Sequence, residues 1–252
     1  MGKGNFDEIG STRASIRWYY FIAICAQLFG ISAVILIGVL LAQYAGGFGW
    51  GSNLDKLFNN HPLFMVLGMI LFYGDAILVY RVFPNVTKIW IKILHAVLLA
   101  TSLILSSIGL KAVFDSHSNA KPPKDHLDSL HSWVGLATVV LFGLQWVCGF
   151  VAFLFPRLNK EIRVAYLPSH KLWGKLIFIF AVVSVLMGTT EQGVYSNYFS
   201  DKNMRTQRNI INLFGICVLI FAALVLYLAS NLGFQRPPEP KDAPENQPLI
   251  SE

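Results

Sequence analysis

The sequence has little charge and little cysteine. Only 13% of its 252 residues are Asp, Glu, Lys or Arg, against roughly 25% in an ordinary soluble domain. So little charge excludes a disordered chain, and three cysteines exclude a disulfide scaffold. With 54% hydrophobic residues and a mean hydropathy of +0.53, the class that remains is a polytopic membrane protein.

Signature motifs of several enzyme classes are also missing. The absence of C-x-x-C and H-E-x-x-H excludes the common zinc sites, and no G-x-S-x-G, Walker A or G-x-G-x-x-G sequence occurs. The net charge of +6 does not indicate nucleic acid, because the basic residues fall between apolar runs rather than in one patch. That distribution is typical of membrane topology.

Six apolar runs approach the roughly 20 residues that cross a bilayer as a helix. They are Trp18–Ala42, Pro62–Tyr80, Ile89–Phe114, Ser132–Phe155, Leu172–Thr189 and Ile210–Leu232. The first is too long for a cleaved signal peptide. We therefore predict an all-α membrane protein in which residues 18–232 form a six-helix bundle surrounded by membrane lipid.

Basic residues predict the orientation of this bundle. Of the 20 Lys and Arg residues, 13 fall in the termini and in alternate loops on the same side, and 7 fall on the other side. Because positive charge is retained in the cytosol, both termini should be cytosolic. Residues 1–17 are then a cytosolic N-terminal segment, and the Pro-rich residues 233–252 are a disordered cytosolic tail.

Histidines are the most informative polar residues of the runs. His61 and His131 open two runs at one predicted face, whereas His95 and His170 lie near the other. Neutral imidazole is a good axial ligand for haem iron, so two such pairs would hold two haems. The alternative is that the terminal histidines are interfacial residues and only His95 is buried. With about 1.5 Å per residue, the two irons should be ~20 Å apart.

Four segments resemble the cytochrome b561 family. They are HPLFMV at 61–66, LVYRVF at 78–83, SLHSWVG at 129–135 and QWVCGF at 145–150. The resemblance implies a bundle of six helices with two b-type haems, commonly a homodimer, that transfers electrons from cytosolic ascorbate to a lumenal acceptor. It also implies that His61 and His131 ligate the lumenal haem, and that His95 and His170 ligate the cytosolic one.

Basic residues near the cytosolic haem are candidates for binding ascorbate, which is an anion at pH 7. Lys88 and Lys92 precede His95, and Arg163 precedes His170. The family pattern places ascorbate near Lys88, Lys92 and Arg163, and Arg81 with Tyr80 are further candidates. The alternative is that these charges only fix the topology.

His117 and Asn119 are the candidates on the lumenal face. Their segment, Phe114–Asn119, resembles a family loop in which a His and an Asn contact a small molecule beside the haem. Ser118 interrupts the pattern here, and the loop that follows looks longer than usual. We interpret His126 in that loop as a solvated residue.

Two lumenal acceptors fit the same haem core, Fe(III) and monodehydroascorbate. The tail sequence Glu245–Ile250 matches the acidic dileucine pattern read by sorting adaptors. It favours a late endosomal or lysosomal ferrireductase over an enzyme that regenerates ascorbate in secretory vesicles or at the plasma membrane. A haem-free transporter or channel is a further alternative, against which no span shows a Pro break or an inverted repeat.

Overall fold

The structure is a computed structural model that describes residues 3–83 and 85–234. Within these ranges the regular structure is entirely helical, and six helices are long and apolar enough to cross a membrane. We number them first to sixth along the chain. The predicted class, an all-α multi-pass membrane protein, is confirmed.

The bounds of the helices are as follows. The first helix is Lys3–Val39, with a π-helical end at Leu40–Tyr44. The second is Leu54–Met65, and it continues as a π-helix at Val66–Phe72 and an α-helix at Tyr73–Val82. The third is Lys88–Ser118, the fourth is Leu130–Phe153, the fifth is Lys160–Tyr195, and the sixth is Arg205–Ser230, which follows a 3₁₀ turn at Lys202–Met204.

Three of these helices begin well before the apolar runs that predicted them. The first begins at Lys3 rather than Trp18. The second begins at Leu54 rather than Pro62, because Asn53 caps it by accepting from the Lys56 amide. The fifth begins at Lys160 rather than Leu172, since Asn159 accepts from the Ile162 amide. The three extensions are rich in polar residues, which a search for apolar runs leaves out.

The helices pack mainly in three pairs. The second packs on the third, the fourth on the fifth, and the first on the sixth, with the first and sixth lying against one side of the other four. The largest fully buried side chains include Phe142, Phe178, Phe214 and Phe221. Outward positions carry exposed apolar side chains such as Trp90 and Trp133, as expected of helices that face lipid.

Candidate functional site

Two pairs of histidine rings face each other inside the bundle. His61 on the second helix faces His131 on the fourth, with ring centroids 6.2 Å apart. His95 on the third helix faces His170 on the fifth, with ring centroids 6.3 Å apart. We call the two sides of the bundle the His61 end and the His95 end.

The spacing of both pairs fits a single iron between the rings. An imidazole nitrogen lies about 2 Å from a bound metal and about 1.1 Å from its own ring centre, so two axial imidazoles on one iron have centroids about 6.2 Å apart. Among the described residues no group of three or more His, Cys, Asp or Glu comes together. The donor set therefore fits a bis-histidine haem and not a multi-ligand metal site.

Three of the four rings are held by main-chain carbonyls of a neighbouring helix. His61 Nδ1 donates to Gly109 O (3.1 Å), His95 Nδ1 to Ala76 O (2.7 Å) and His131 Nδ1 to Ser184 O (2.8 Å). A carbonyl can only accept, so the ring proton is on Nδ1. The Nε2 lone pair is then free to bind iron, the usual arrangement for a metal-bound histidine.

The fourth ring has a different neighbour. His170 Nδ1 lies 3.0 Å from the amide nitrogen of Gln145, which also donates to the His170 main-chain oxygen at 2.8 Å. The rings of Phe153 and Tyr166 pack on His170 at 5.2 and 5.8 Å. Gln145 stands in a segment that the sequence singled out, but its contact with His170 was not predicted.

Glycines make room for two of the rings. A Cβ atom on Gly188 would lie 2.6 Å from His131 Cε1, and one on Gly149 would lie 2.8 Å from His170 Cε1. Such distances are too short for any larger residue, so each ring requires a glycine on the helix opposite. The sequence alone gives no sign of this role, because the partners are 57 and 21 positions apart in the chain.

The two pairs lie at different depths. Along the third helix, 14 residues separate His95 from Gly109, which holds His61. Along the fifth, 14 residues separate His170 from Ser184, which holds His131. Both helices give about 21 Å between the pairs, which agrees with the separation predicted from sequence.

Aromatic side chains fill the space between the pairs. Tyr73 packs against Phe142 and Phe178 with ring centroids 4.6 and 5.4 Å apart. Its hydroxyl donates to Gly174 O at 2.7 Å, one helical turn from His170. This buried cluster occupies the middle of the bundle.

A cavity of about 1540 Å³ opens at the His61 end. Its lining includes His61, His131, His117, His126 and Lys124. It exceeds the usual few hundred Å³ of a small-molecule pocket, so it has room for a porphyrin edge and a solute beside it.

The loop beside this cavity brings His117 and His126 together. Their rings stack with centroids 5.7 Å apart, and His117 Nδ1 donates to Asp125 O at 3.0 Å. Asn119 points elsewhere: its amide donates to Asp115 O at the end of its own helix. His126, interpreted from sequence as a solvated residue, is exposed but forms part of the cavity wall.

At the His95 end the structure gathers some of the predicted basic residues. Lys92 Nζ donates to Phe153 O at the end of the fourth helix (3.3 Å), and Tyr80 lies 5.4 Å from the His95 ring. Lys88 stands one turn before Lys92 and is half-buried. Arg163 Nε lies 3.4 Å from Asn159 O.

Arg81 lies apart from this group. Its guanidinium donates to Ala229 O on the sixth helix at 2.9 Å. The neighbouring residue Tyr80 contacts the His95 ring instead. Tyr80 and Arg81 therefore contact different helices, the third and the sixth.

Comparison with known proteins gives consistent matches. A family model described as eukaryotic cytochrome b561 matches residues 60–196. A transmembrane ascorbate-dependent reductase of Mus musculus is 38% identical, covering 88% of this chain and 87% of its own; the human protein of that name is 37% identical, with the same coverage. A lysosomal membrane ascorbate-dependent ferrireductase of Bos taurus is 33% identical over 93% of this chain and 89% of its own.

Proposed function

Because the chain belongs to the eukaryotic cytochrome b561 family, we propose that it carries electrons across a membrane from cytosolic ascorbate to lumenal Fe(III). It is a transmembrane oxidoreductase with b-type haem. One observation carries the proposal: two histidine pairs, each spaced for one iron, lie about 21 Å apart in depth.

The two histidine pairs would hold two haems, which supply reversible one-electron chemistry when bound. His61, His131 and His95 each have Nδ1 bonded to a carbonyl, so the Nε2 atom of each ring would be available to bind iron. The helices expose apolar side chains on their outer faces, and the aromatic cluster around Tyr73 packs between the pairs. These apolar groups would keep water out of the route. The chain thus provides an insulated route between two aqueous faces.

Ascorbate would bind at the His95 end. Lys92 donates to the main chain of Phe153, whose ring packs on His170, and Lys88 lies one turn before Lys92 on the third helix. Arg163 lies two turns before His170 on the fifth helix. Their charges would attract an anion and hold it or a haem propionate. Arg81 is a weaker candidate because its guanidinium contacts the sixth helix. The relatives from Mus musculus and Bos taurus are named ascorbate-dependent, which supports ascorbate as the reductant.

The acceptor would bind in the cavity at the His61 end, beside His117. The Bos taurus relative named a ferrireductase favours Fe(III), and the acidic dileucine sequence at 245–250 agrees with a late endosomal or lysosomal membrane. That sequence lies outside the described residues. Monodehydroascorbate is the second candidate acceptor, in which case His117 would face an organic radical rather than a ferric chelate.

The orientation and assembly rest on sequence. We propose that both termini are cytosolic, that an adaptor reads the tail, and that the chain forms a homodimer. Residues 235–252 of the proposed tail also lie outside the described residues. Membership of the cytochrome b561 family argues against the haem-free transporter or channel considered from the sequence.

Sided vesicles test the proposal. The purified protein should contain two haems per chain by pyridine haemochrome assay. When it is inserted with the His95 end outward, external ascorbate should reduce a ferric chelate trapped inside. The absence of bound haem would refute the cytochrome proposal, whereas normal reduction of trapped monodehydroascorbate without ferric reduction would change only the acceptor.

A further inference from the structure

Gln145 places its side-chain amide at hydrogen-bond distance from the ring of His170, a proposed ligand at the His95 end. It lies on the fourth helix one turn before Gly149, so the two residues share the face that meets His170. On the fifth helix it reaches Gly174, where a Cβ atom would lie 3.7 Å from the Gln145 amide nitrogen. The amide is thus held between His170 and the next turn of the fifth helix.

The orientation of the amide follows from its partners. The His170 main-chain oxygen can only accept a hydrogen bond, so the Gln145 atom 2.8 Å away is the NH₂ nitrogen. The same nitrogen lies 3.0 Å from His170 Nδ1. Gln145 therefore offers the ring a donor.

This contact is opposite in sense to those of the other three ligands. His61, His95 and His131 each have a carbonyl oxygen at Nδ1. A carbonyl accepts the Nδ1 proton and makes the imidazole a better electron donor to a metal on Nε2. When Nε2 of a neutral imidazole binds a metal, the ring proton is on Nδ1. The amide N–H of Gln145 cannot accept that proton, so His170 lacks the acceptor that the other three rings have.

We propose that Gln145 is a positioning and tuning residue for the haem of the His95/His170 pair. By withholding an acceptor from His170, it weakens the donation of that imidazole to ferric iron and raises the reduction potential of this haem. The inference rests on the proposed ligation by His95 and His170. The haem of the His61/His131 pair has a carbonyl on both rings and is not affected by Gln145.

Two substitutions separate tuning from simple packing. Gln145→Met keeps the length of the side chain but removes the donor. Gln145→Glu places a carboxylate at Nδ1, which accepts the ring proton and strengthens the ligand. The midpoint potential of the affected haem should therefore fall from Gln to Met and fall further to Glu.

The measurement is an equilibrium redox titration of the purified protein followed optically, with low-spin EPR signals recorded for each haem. The second haem in the same molecule is the internal reference. Gln207→Met is the matched control, because the Gln207 amide donates to Met204 Sδ at the start of the sixth helix rather than to a histidine. This variant should shift neither haem.

The proposal predicts that one potential shifts and that the other stays constant, with haem content unchanged. Unchanged potentials in both variants, a rise in Gln145→Glu, or equal shifts of both haems would overturn it. Loss of the haem in both variants with normal expression would also overturn it, since Gln145 would then act by packing alone. If His170→Ala retained both haems, the fault would lie with the proposed ligation instead.

Discussion

At the scale of single residues, each proposed ligand depends on contacts from other helices. A carbonyl fixes the ring at His61, His95 and His131, and a glycine clears the space beside His131 and His170. Such contacts fix both the tautomer and the ring direction before any metal binds. The site is therefore sensitive to substitutions that never touch the iron.

Replacing a ligand should remove one haem and spare the other. His95→Ala and His170→Ala should each lower the haem content from about two to about one per chain, or leave one haem five-coordinate, because one iron loses an axial ligand. His131→Ala should affect the other haem. Pyridine haemochrome assays with difference spectra measure this. If His95→Ala and His131→Ala removed the same haem, the pairing of the helices would be wrong.

Glycine substitutions should reproduce these effects one haem at a time. Gly188→Ala introduces a methyl group 2.6 Å from His131 Cε1, and Gly149→Ala introduces one 2.8 Å from His170 Cε1. Each ring must move, so each variant should lose or shift only its own haem signal in EPR. Gly143→Ala is the control, because its nearest neighbour outside the helix would be Leu103 at 3.8 Å. Normal spectra in both test variants would contradict the required close approach.

At the scale of helices, the apolar runs predicted the number and order of the spans but not their ends. The polar first turns of the second and fifth helices are capped by Asn53 and Asn159, which hydropathy does not detect. The histidine pairs were predictable because imidazoles are rare among apolar residues. The contact of Gln145 with His170 was not, because no short-range pattern shows which helix faces meet.

Tyr73 links the second and fifth helices through one hydrogen bond. Tyr73→Phe keeps the ring contacts with Phe142 and Phe178 but removes the bond to Gly174 O. The loss should cost about 1 kcal/mol, as for other hydrogen bonds within membranes. Thermal unfolding in detergent should show a lower midpoint with both haems retained. An unchanged midpoint would mean that packing alone joins these helices.

At the scale of the whole molecule, the orientation decides which face meets ascorbate. Asn85–Thr87 is an N-x-T glycosylation sequence in the exposed loop between the second and third helices, at the His95 end. If this end is cytosolic, the sequence never meets the glycosylation machinery. The protein should therefore migrate unchanged after glycosidase treatment. A shift that Asn85→Gln abolishes would reverse the orientation and exchange the two faces.

Charge at the His95 end should control how fast ascorbate reaches the protein. Near water each positive charge contributes about 1 kcal/mol to the attraction of an anion at close range. The double variant Lys88→Gln, Lys92→Gln should therefore reduce the second-order rate of reduction by ascorbate about tenfold or more at low salt. Because salt screens such attraction, the rate of the variant should also depend less on ionic strength.

A matched variant separates this effect from general damage. Lys111→Gln removes a charge from the same helix at the opposite end, where Lys111 pairs with Asp115 at 2.6 Å. It should leave the rate with ascorbate unchanged, and dithionite should still reduce both haems in every variant. Stopped-flow absorbance with protein of known orientation measures these rates. An undiminished ascorbate rate in the double variant would mean that Lys88 and Lys92 serve topology alone, and ascorbate would then have to bind through other groups such as Arg163.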